Sequence, residues 1–109
     1  MRTNNEFVLI LSQHFYPTLI GSAAYITDFS RWMAERGRAV TVVTDRPFYP
    51  DYEIAAGYEA GQRDREEVFG VDVLRLPTYV PKGGRAIKRC INEAVFLSGV
   101  VARLLTGRI

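Results

Sequence analysis

The feature that most constrains this chain is an apolar strand, a helix and a second strand in close succession. Residues Phe7 to Leu11 form a short, continuous apolar run, which is typical of a buried strand with helices on both faces of a parallel sheet. A helical pattern follows from about Ala23 to Arg36, and Gly37 stands where a left-handed C-cap residue belongs. A second strand, Ala39 to Thr44, comes next. This order predicts a right-handed βαβ unit and an α/β fold with a parallel sheet.

The second half of the chain predicts a smaller β element and a long helix. The segment 45–62 carries Gly and Pro residues and four aromatic residues, which indicates an irregular surface loop. Arg65 to Phe69 and Val71 to Leu76 are β-rich and divided by Gly70, so we expect a β-hairpin or a bulged strand. A helical pattern runs from Arg85 to about Leu105. Because a parallel sheet needs further strands after that helix, we expect residues 1–109 to be an incomplete Rossmann-like domain.

The first helix is predicted to be amphipathic, with an apolar stripe of Ile26, Phe29 and Met33 that Tyr25 and Trp32 widen. In the second helix Ile87, Ile91 and Val95 recur at helical spacing. Ser22 is the expected N-cap of the first helix, because a serine hydroxyl can accept from an amide of the first turn.

Composition excludes several classes of function. A chain of 109 residues with 48% apolar residues is one globular domain, not a disordered or collagen-like segment. Its net charge of +2 is too small for a nucleic-acid footprint, so no nucleic-acid partner is expected. One cysteine, Cys90, and one histidine supply no zinc ligand set, so neither a metal nor a cofactor is expected. The absence of a disulfide pair, a signal-peptide core or a membrane-spanning run favours a cytoplasmic location.

The loop after the first strand is the first candidate site, because ligands of open α/β sheets bind beyond the carboxyl ends of the strands. Gly21 and Ser22 stand at the start of the following helix, where backbone amides and the helix dipole favour an anion. The alternative is a glycine that the turn requires and a serine that caps the helix.

Aromatic and imidazole side chains near that loop are candidates for substrate contact. His14, the single histidine, follows the first strand and has a side chain suited to general acid or base chemistry; the alternative is a structural or exposed histidine. Tyr16 and Tyr49 have rings that can stack on sugars or bases, or that pack the loops against the fold.

A basic segment precedes an apolar part of the last helix. Lys82, Arg85, Lys88 and Arg89 lie within eight residues that contain no acid, and the nearly apolar run Ala94 to Val101 follows. This combination is typical of a surface that contacts anionic lipid. The alternative is a solvated charge run that leads into a buried helix.

Several motifs, taken in order, resemble the opening of family 4 glycosyltransferases, which have the GT-B fold. They are Gln13-x-Phe15-x-Pro17, the Gly21-Ser22 loop, the Arg36-Gly37-Arg38 turn and the strand Val40-Thr41-Val42-Val43-Thr44. A subset that acts in exopolysaccharide biosynthesis is similar at Arg46-Pro47-x-Tyr49-Pro50, at Glu66-x-x-x-Gly70-Val71-x-Val73-x-Arg75-x-Pro77 and at Arg89-x-x-Asn92. Arg38 replaces the histidine that is usual at the turn, and the loop lacks the double glycine often found there.

The resemblance implies sugar transfer from a nucleotide-sugar donor with retention and without an obligatory metal. It implies two Rossmann-like domains, of which the N-terminal one, here residues 1–109, holds a saccharide or lipid-linked acceptor. Gly21 and Ser22 match the loop that faces the donor phosphates. His14, Tyr16, Arg46 and Tyr49 become the acceptor-side candidates. The donor motif of the second domain has no counterpart in these residues, so we expect the chain alone to be inactive.

Three interpretations of the function follow from these residues. The first is the acceptor-side portion of a glycosyltransferase for cell-surface polysaccharide, peripheral at the inner face of the plasma membrane. The second is a small nucleotide-binding or regulatory α/β module, and the third is a fragment without a function of its own. In each case an incomplete sheet would leave an exposed edge through which the chain could associate with another.

Overall fold

The computed structural model describes residues 7–49 and 51–107, which form a four-stranded sheet and two long helices. The elements are β1 (Phe7–Leu11), α1 (Ser22–Glu35), β2 (Ala39–Asp45), β3 (Arg65–Val68), β4 (Val71–Leu76), a 3-10 turn (Lys82–Gly84) and α2 (Ala86–Thr106). The predicted α/β fold and the order of its elements are confirmed, with bounds that differ by one or two residues.

The strands are ordered β1-β2-β4-β3, so β2 is paired on both sides. The β1–β2 and β2–β4 pairs are parallel, while β3 and β4 form the predicted antiparallel hairpin. The three parallel strands therefore end at one edge of the sheet, at Leu11, Asp45 and Leu76. This carboxyl edge is where the candidate site lies.

The description of β1 as a buried strand is wrong. Within the described residues β1 pairs only with β2 and lies at an edge of the sheet, and its end residues Phe7 and Leu11 are exposed. The cause is the placement of the helices, because α1 and α2 both pack over β2 and β4 rather than over β1.

The helices cover opposite faces of the sheet and create two apolar cores. On the α1 face, Met33 packs with Val42 and Val73. On the α2 face, Phe96 packs with Val43 and Leu74. Since successive strand residues point to opposite faces, the adjacent Val42 and Val43 contribute to different cores.

The buried face of α1 agrees with the predicted stripe only at Met33 and at Ile26, which is partly buried against the same core. Its buried residues are Ala23, Thr27, Ser30 and Met33. The predicted Tyr25, Phe29 and Trp32 are exposed. Small side chains let the helix approach the sheet closely, and each buried hydroxyl has a partner: Ser30 donates to the Ile26 carbonyl at 2.7 Å, and Thr27 accepts from the Tyr16 amide at 3.1 Å.

The buried face of α2 does not contain the apolar residues that recur at helical spacing. Asn92, Phe96 and Val100 face the sheet. Ile87, Ile91 and Val95 are exposed. The polar partners of Asn92, described below, set this rotation. Gly99 permits it, because a Cβ at that position would lie 3.0 Å from Leu76 Cδ1.

The predicted left-handed residue after α1 is confirmed at Gly37, which has φ of 84°. The predicted N-cap is wrong: α1 begins at Ser22, and Gly21 is its N-cap with φ of 64° and no side-chain cap hydrogen bond. The residue before the helix must take a positive φ, which glycine adopts at low cost and serine does not.

Candidate functional site

Backbone hydrogen bonds extend the β1–β2 pairing into the loop that follows β1. The Ser12 amide donates to the Val43 carbonyl at 3.0 Å, and the Asp45 amide donates to the Gln13 carbonyl at 3.3 Å. These bonds hold Gln13 and His14 over the carboxyl end of β2. Two cavities open there, and His14 and Tyr49 line both of them.

The first cavity lies at the start of α1 and has a volume of about 190 Å³. His14, Ile20, Gly21, Ser22 and Tyr49 line it, so four of the predicted site residues come together here. A Cβ on Gly21 would meet no atom within 4 Å, which shows that the loop faces open space. The first-turn amides of a helix have no partner within the helix, so an anion in this cavity would find donors and a favourable dipole.

The second cavity lies between the β1 loop and α2 and has a volume of about 210 Å³. Its lining residues are Gln13, His14, Phe48, Tyr49, Tyr52, Pro81, Arg89, Asn92 and Glu93. Aromatic rings form one wall of this cavity. The other side carries the carboxamides of Gln13 and Asn92, the positive charge of Arg89 and the negative charge of Glu93. Arg89, predicted as a membrane contact, is thus also a cavity residue.

His14 stands between the two cavities, held by aromatic neighbours. Its ring meets Phe48 edge-on at 5.6 Å and Tyr49 at 5.9 Å between centroids. Burial lowers the pKa of His14 below its ordinary value, so the imidazole is neutral near pH 7. A neutral imidazole offers one donor and one acceptor, which suits hydrogen bonding to a hydroxyl better than ion pairing.

A buried polar network, which was not predicted from the sequence, lies beneath the second cavity. Asp45 Oδ2 accepts from Asn92 Nδ2 at 3.3 Å, and Asp45 Oδ1 accepts from Thr78 Oγ1 at 3.3 Å. Asn92 Oδ1 accepts from Gln13 Nε2 at 2.8 Å. Burial raises the pKa of Asp45 to about 6, although the hydrogen bonds from Asn92, Thr78 and Gln13 oppose that rise. The sequence feature that could have indicated this network is the acidic Asp45, which directly follows the largely apolar residues of β2.

Arg75 ties the loops of this edge together from the opposite face of the sheet. Its buried guanidinium donates to the carbonyls of Tyr16 and Asp45, the latter at 3.2 Å, and to Glu66 Oε2 at 3.2 Å. The ring of Tyr58 lies 5.0 Å from the guanidinium carbon. A single arginine within an apolar strand therefore joins segments that are distant in sequence.

The remaining predicted site residues lie elsewhere. Tyr16 packs its ring against Phe69 at 5.1 Å and contributes to the core under α1. Arg46 makes two hydrogen bonds to the carboxylate of Asp64, at 3.0 and 2.9 Å. Neither residue lines the two cavities. Lys82 and Arg85 are exposed, Lys88 is partly buried, and all three lie outside both cavities.

Metal ligands and membrane spans are both absent from residues 7–49 and 51–107. No group of three His, Cys, Asp or Glu side chains there could hold a metal ion. Neither α1 nor α2 combines the length and the hydrophobicity that a membrane span requires.

The class of the chain is mixed α/β with a mostly parallel sheet, compatible with a Rossmann-like unit, and its cavities lie at the edge where ligands of such sheets usually bind. The chain is similar to the colanic acid biosynthesis glycosyl transferase WcaI of Escherichia coli (strain K12), with 33% identity over 89 residues. The similar region covers 82% of this chain and 22% of that protein. No protein-family model and no solved structure matches the chain. The similarity relates the chain to a glycosyl transferase.

Proposed function

We propose that this chain is the acceptor-side portion of a GT-B glycosyltransferase of family 4 that acts in cell-surface polysaccharide biosynthesis. The observation that carries the proposal is the similarity to WcaI over 89 residues, together with two adjoining cavities at the carboxyl edge of the sheet. In this proposal sugar is transferred with retention from a nucleotide sugar, without a resident metal, and a second domain binds the nucleotide.

The first cavity suits the donor phosphates. A departing nucleoside diphosphate gains negative charge, and preorganised backbone amides stabilise such charge without rearrangement. Gly21 and Ser22 bring the first turn of α1 to this cavity, and no side-chain cap competes for its amides. The role of these two residues is therefore to stabilise the leaving group.

The second cavity suits an acceptor saccharide. The rings of Phe48, Tyr49 and Tyr52 provide apolar faces of the kind on which sugar rings stack, and the neutral His14 can exchange hydrogen bonds with hydroxyl groups. Because His14 and Tyr49 line both cavities, an acceptor hydroxyl beside them would lie next to the donor. Productive transfer needs that proximity.

An anionic membrane surface is the proposed partner of the basic segment. Lys82 and Arg85 are exposed ahead of α2, and α2 exposes Ile87, Ile91 and Leu97 to solvent. Each cation near an anionic surface contributes about 1 kcal/mol, and the apolar residues add an area that lipid can bury. This surface would keep the enzyme peripheral at the cytoplasmic face, next to a lipid-linked acceptor.

The test is a chimera in which this chain replaces the aligned segment of the Escherichia coli relative. We expect the chimera to release nucleoside diphosphate from a nucleotide sugar when a lipid-linked acceptor is present, and the chain alone to release none. Tyr49→Ala should raise the KM for the acceptor, whereas Tyr25→Ala, an exposed tyrosine outside both cavities, should not. A folded chimera without turnover would contradict the proposal. Micromolar nucleotide affinity of the chain alone would favour a nucleotide-binding module instead.

A further inference from the structure

The direction of one carboxamide in the second cavity is determined by acceptor-only partners. Asn92, which is 5% exposed, donates its Nδ2 to the Tyr79 carbonyl at 2.8 Å and to Asp45 Oδ2 at 3.3 Å. A backbone carbonyl and a carboxylate accept hydrogen bonds and cannot donate them, so the amino group of Asn92 must face both. Its Oδ1 is consequently turned toward Gln13.

Asn92, together with Asp45, determines the direction of the Gln13 carboxamide, because Gln13 donates to both. Oδ1 of Asn92 is an acceptor, so Gln13 must present its Nε2, and the two atoms lie 2.8 Å apart. Within the described residues no hydrogen bond uses the Oε1 of Gln13, although Gln13 lines the cavity. Gln13 therefore brings to this cavity an acceptor oxygen without a hydrogen-bond donor among the described residues, and its place cannot be taken by the amino group.

We propose that Gln13 is a specificity-determining residue whose Oε1 accepts a hydrogen bond from one hydroxyl of the acceptor saccharide, and that Asn92 is its positioning residue. The identity of the ligand rests on the proposed function, whereas the fixed carboxamide does not. Phe48, Tyr49 and Tyr52 complete the site, since their rings cover the apolar face of a sugar while Gln13 binds a polar edge.

A fixed acceptor discriminates between ligands more strongly than a freely rotating one. A glutamine able to rotate would offer its amino group to a ligand that lacks the hydroxyl donor. Gln13 would lose its bond to Asn92 by such a rotation and would leave the buried Asn92 Oδ1 unpaired. A saccharide without the relevant hydroxyl should therefore bind about tenfold more weakly.

The first experiment tests the fixed carboxamide by NMR of the full chain. The side-chain amide protons of Gln13 should exchange with solvent about tenfold more slowly than those of Gln62, the second glutamine of the chain, whose hydrogen bond to Glu59 lies on the exposed surface. Asn92→Ala should reduce this protection, because only the hydrogen bond to Asp45 would remain, whereas Ser98→Ala, an exposed polar residue of the same helix, should leave it unchanged. Equal exchange at Gln13 and Gln62 in the unsubstituted chain would overturn the assignment of Asn92 without the need for a variant.

The second experiment tests the ligand contact with methyl glucoside, galactoside and mannoside and their monodeoxy analogues. At least one parent sugar should shift the Gln13 side-chain resonances, one analogue should bind about tenfold more weakly, and Gln13→Leu should abolish that difference. Equal binding of all analogues, or no shift at Gln13 with any sugar, would overturn the specificity role. Either result is independent of turnover by the chimera, which decides the proposed function separately.

Discussion

Replacement of Arg75 by methionine tests how strongly the carboxyl edge depends on one buried cation. The Arg75 side chain is 0% exposed and its ion-pair partner Glu66 is 20% exposed. Arg75→Met leaves the Glu66 carboxylate partly buried without a counter-charge, and it leaves the carbonyls of Tyr16 and Asp45 without this donor. Breaking a buried ion pair by removal of one partner costs about 3–5 kcal/mol. Since Glu66 keeps some contact with water, we expect about 3 kcal/mol, a large share of the stability of a small domain.

Urea denaturation of the full chain, followed by circular dichroism, measures this loss as a lower midpoint at constant slope. Arg31→Met is the matched control, because Arg31 pairs with Glu35 on the surface and its side chain is 52% exposed; its loss should stay below about 1 kcal/mol. The double variant Arg75→Met, Glu66→Met should recover part of the loss, since it removes the uncompensated carboxylate. Equal losses for the Arg75 and Arg31 variants would refute the reasoning.

Three further predictions concern Asp45, the start of α1 and the basic segment. Because burial raises the pKa of Asp45 to about 6, the folded state holds this proton more tightly than the unfolded chain. The free energy of unfolding of the wild type relative to Asp45→Asn should therefore fall as pH rises from about 4 to 6, and a pH-independent difference in urea titrations would contradict this. Gly21→Ala should destabilise the chain by about 1–3 kcal/mol, because the φ of 64° at this position strains any residue with a Cβ. The added Cβ itself would meet no atom within 4 Å, so an unchanged urea midpoint would argue against backbone strain. Charge reversal at Lys82 and Arg85 should weaken sedimentation with anionic liposomes, as should added salt, and equal binding to neutral liposomes would exclude the electrostatic contribution.

The succession of the strands along the chain and their bounds could be predicted, because each depends on residues that are close together in the sequence. A continuous apolar run, a glycine at a helix end and Gly70 between two β-rich runs each act within a few residues, and the hairpin of β3 and β4 follows from the last of these. The parallel pairing of β1 with β2 was predicted, whereas the exposure of β1 was not, because it depends on where distant helices pack.

The buried faces of the helices and the polar network could not be predicted, because both depend on contacts between distant residues. Asn92 and Asp45 are separated by 47 positions, yet their hydrogen bond helps to set which face of α2 meets the sheet. Apolar periodicity favoured Ile87 and Ile91, which are exposed. When a helix has apolar residues on several faces, their spacing does not indicate which face packs against the sheet. The position of a buried polar side chain decides the rotation in such a case.

The location of the candidate site could be predicted from the sequence, whereas the hydrogen bonds that give the site its chemistry could not. The rule that ligands bind beyond the carboxyl ends of parallel strands pointed to His14, Gly21 and Ser22, which the structure brings into one cavity with Tyr49. Gln13 and Asn92 occur in the motifs that suggested the family, but only their 2.8 Å contact beneath the cavity gives them a role.

The central position of β2 has a consequence for the order in which the chain acquires structure during synthesis. β2 pairs in parallel with β1, made before it, and with β4, made after it, and roughly thirty residues separate the partners in each case. When β2 leaves the ribosome it can join β1, but its other edge stays open until β4 has followed. During that interval Val42 and Val43, each 0% exposed in the finished fold, flank an unpaired edge. The nascent chain is therefore open to misassociation through this edge of β2 between the synthesis of Asp45 and that of Leu76.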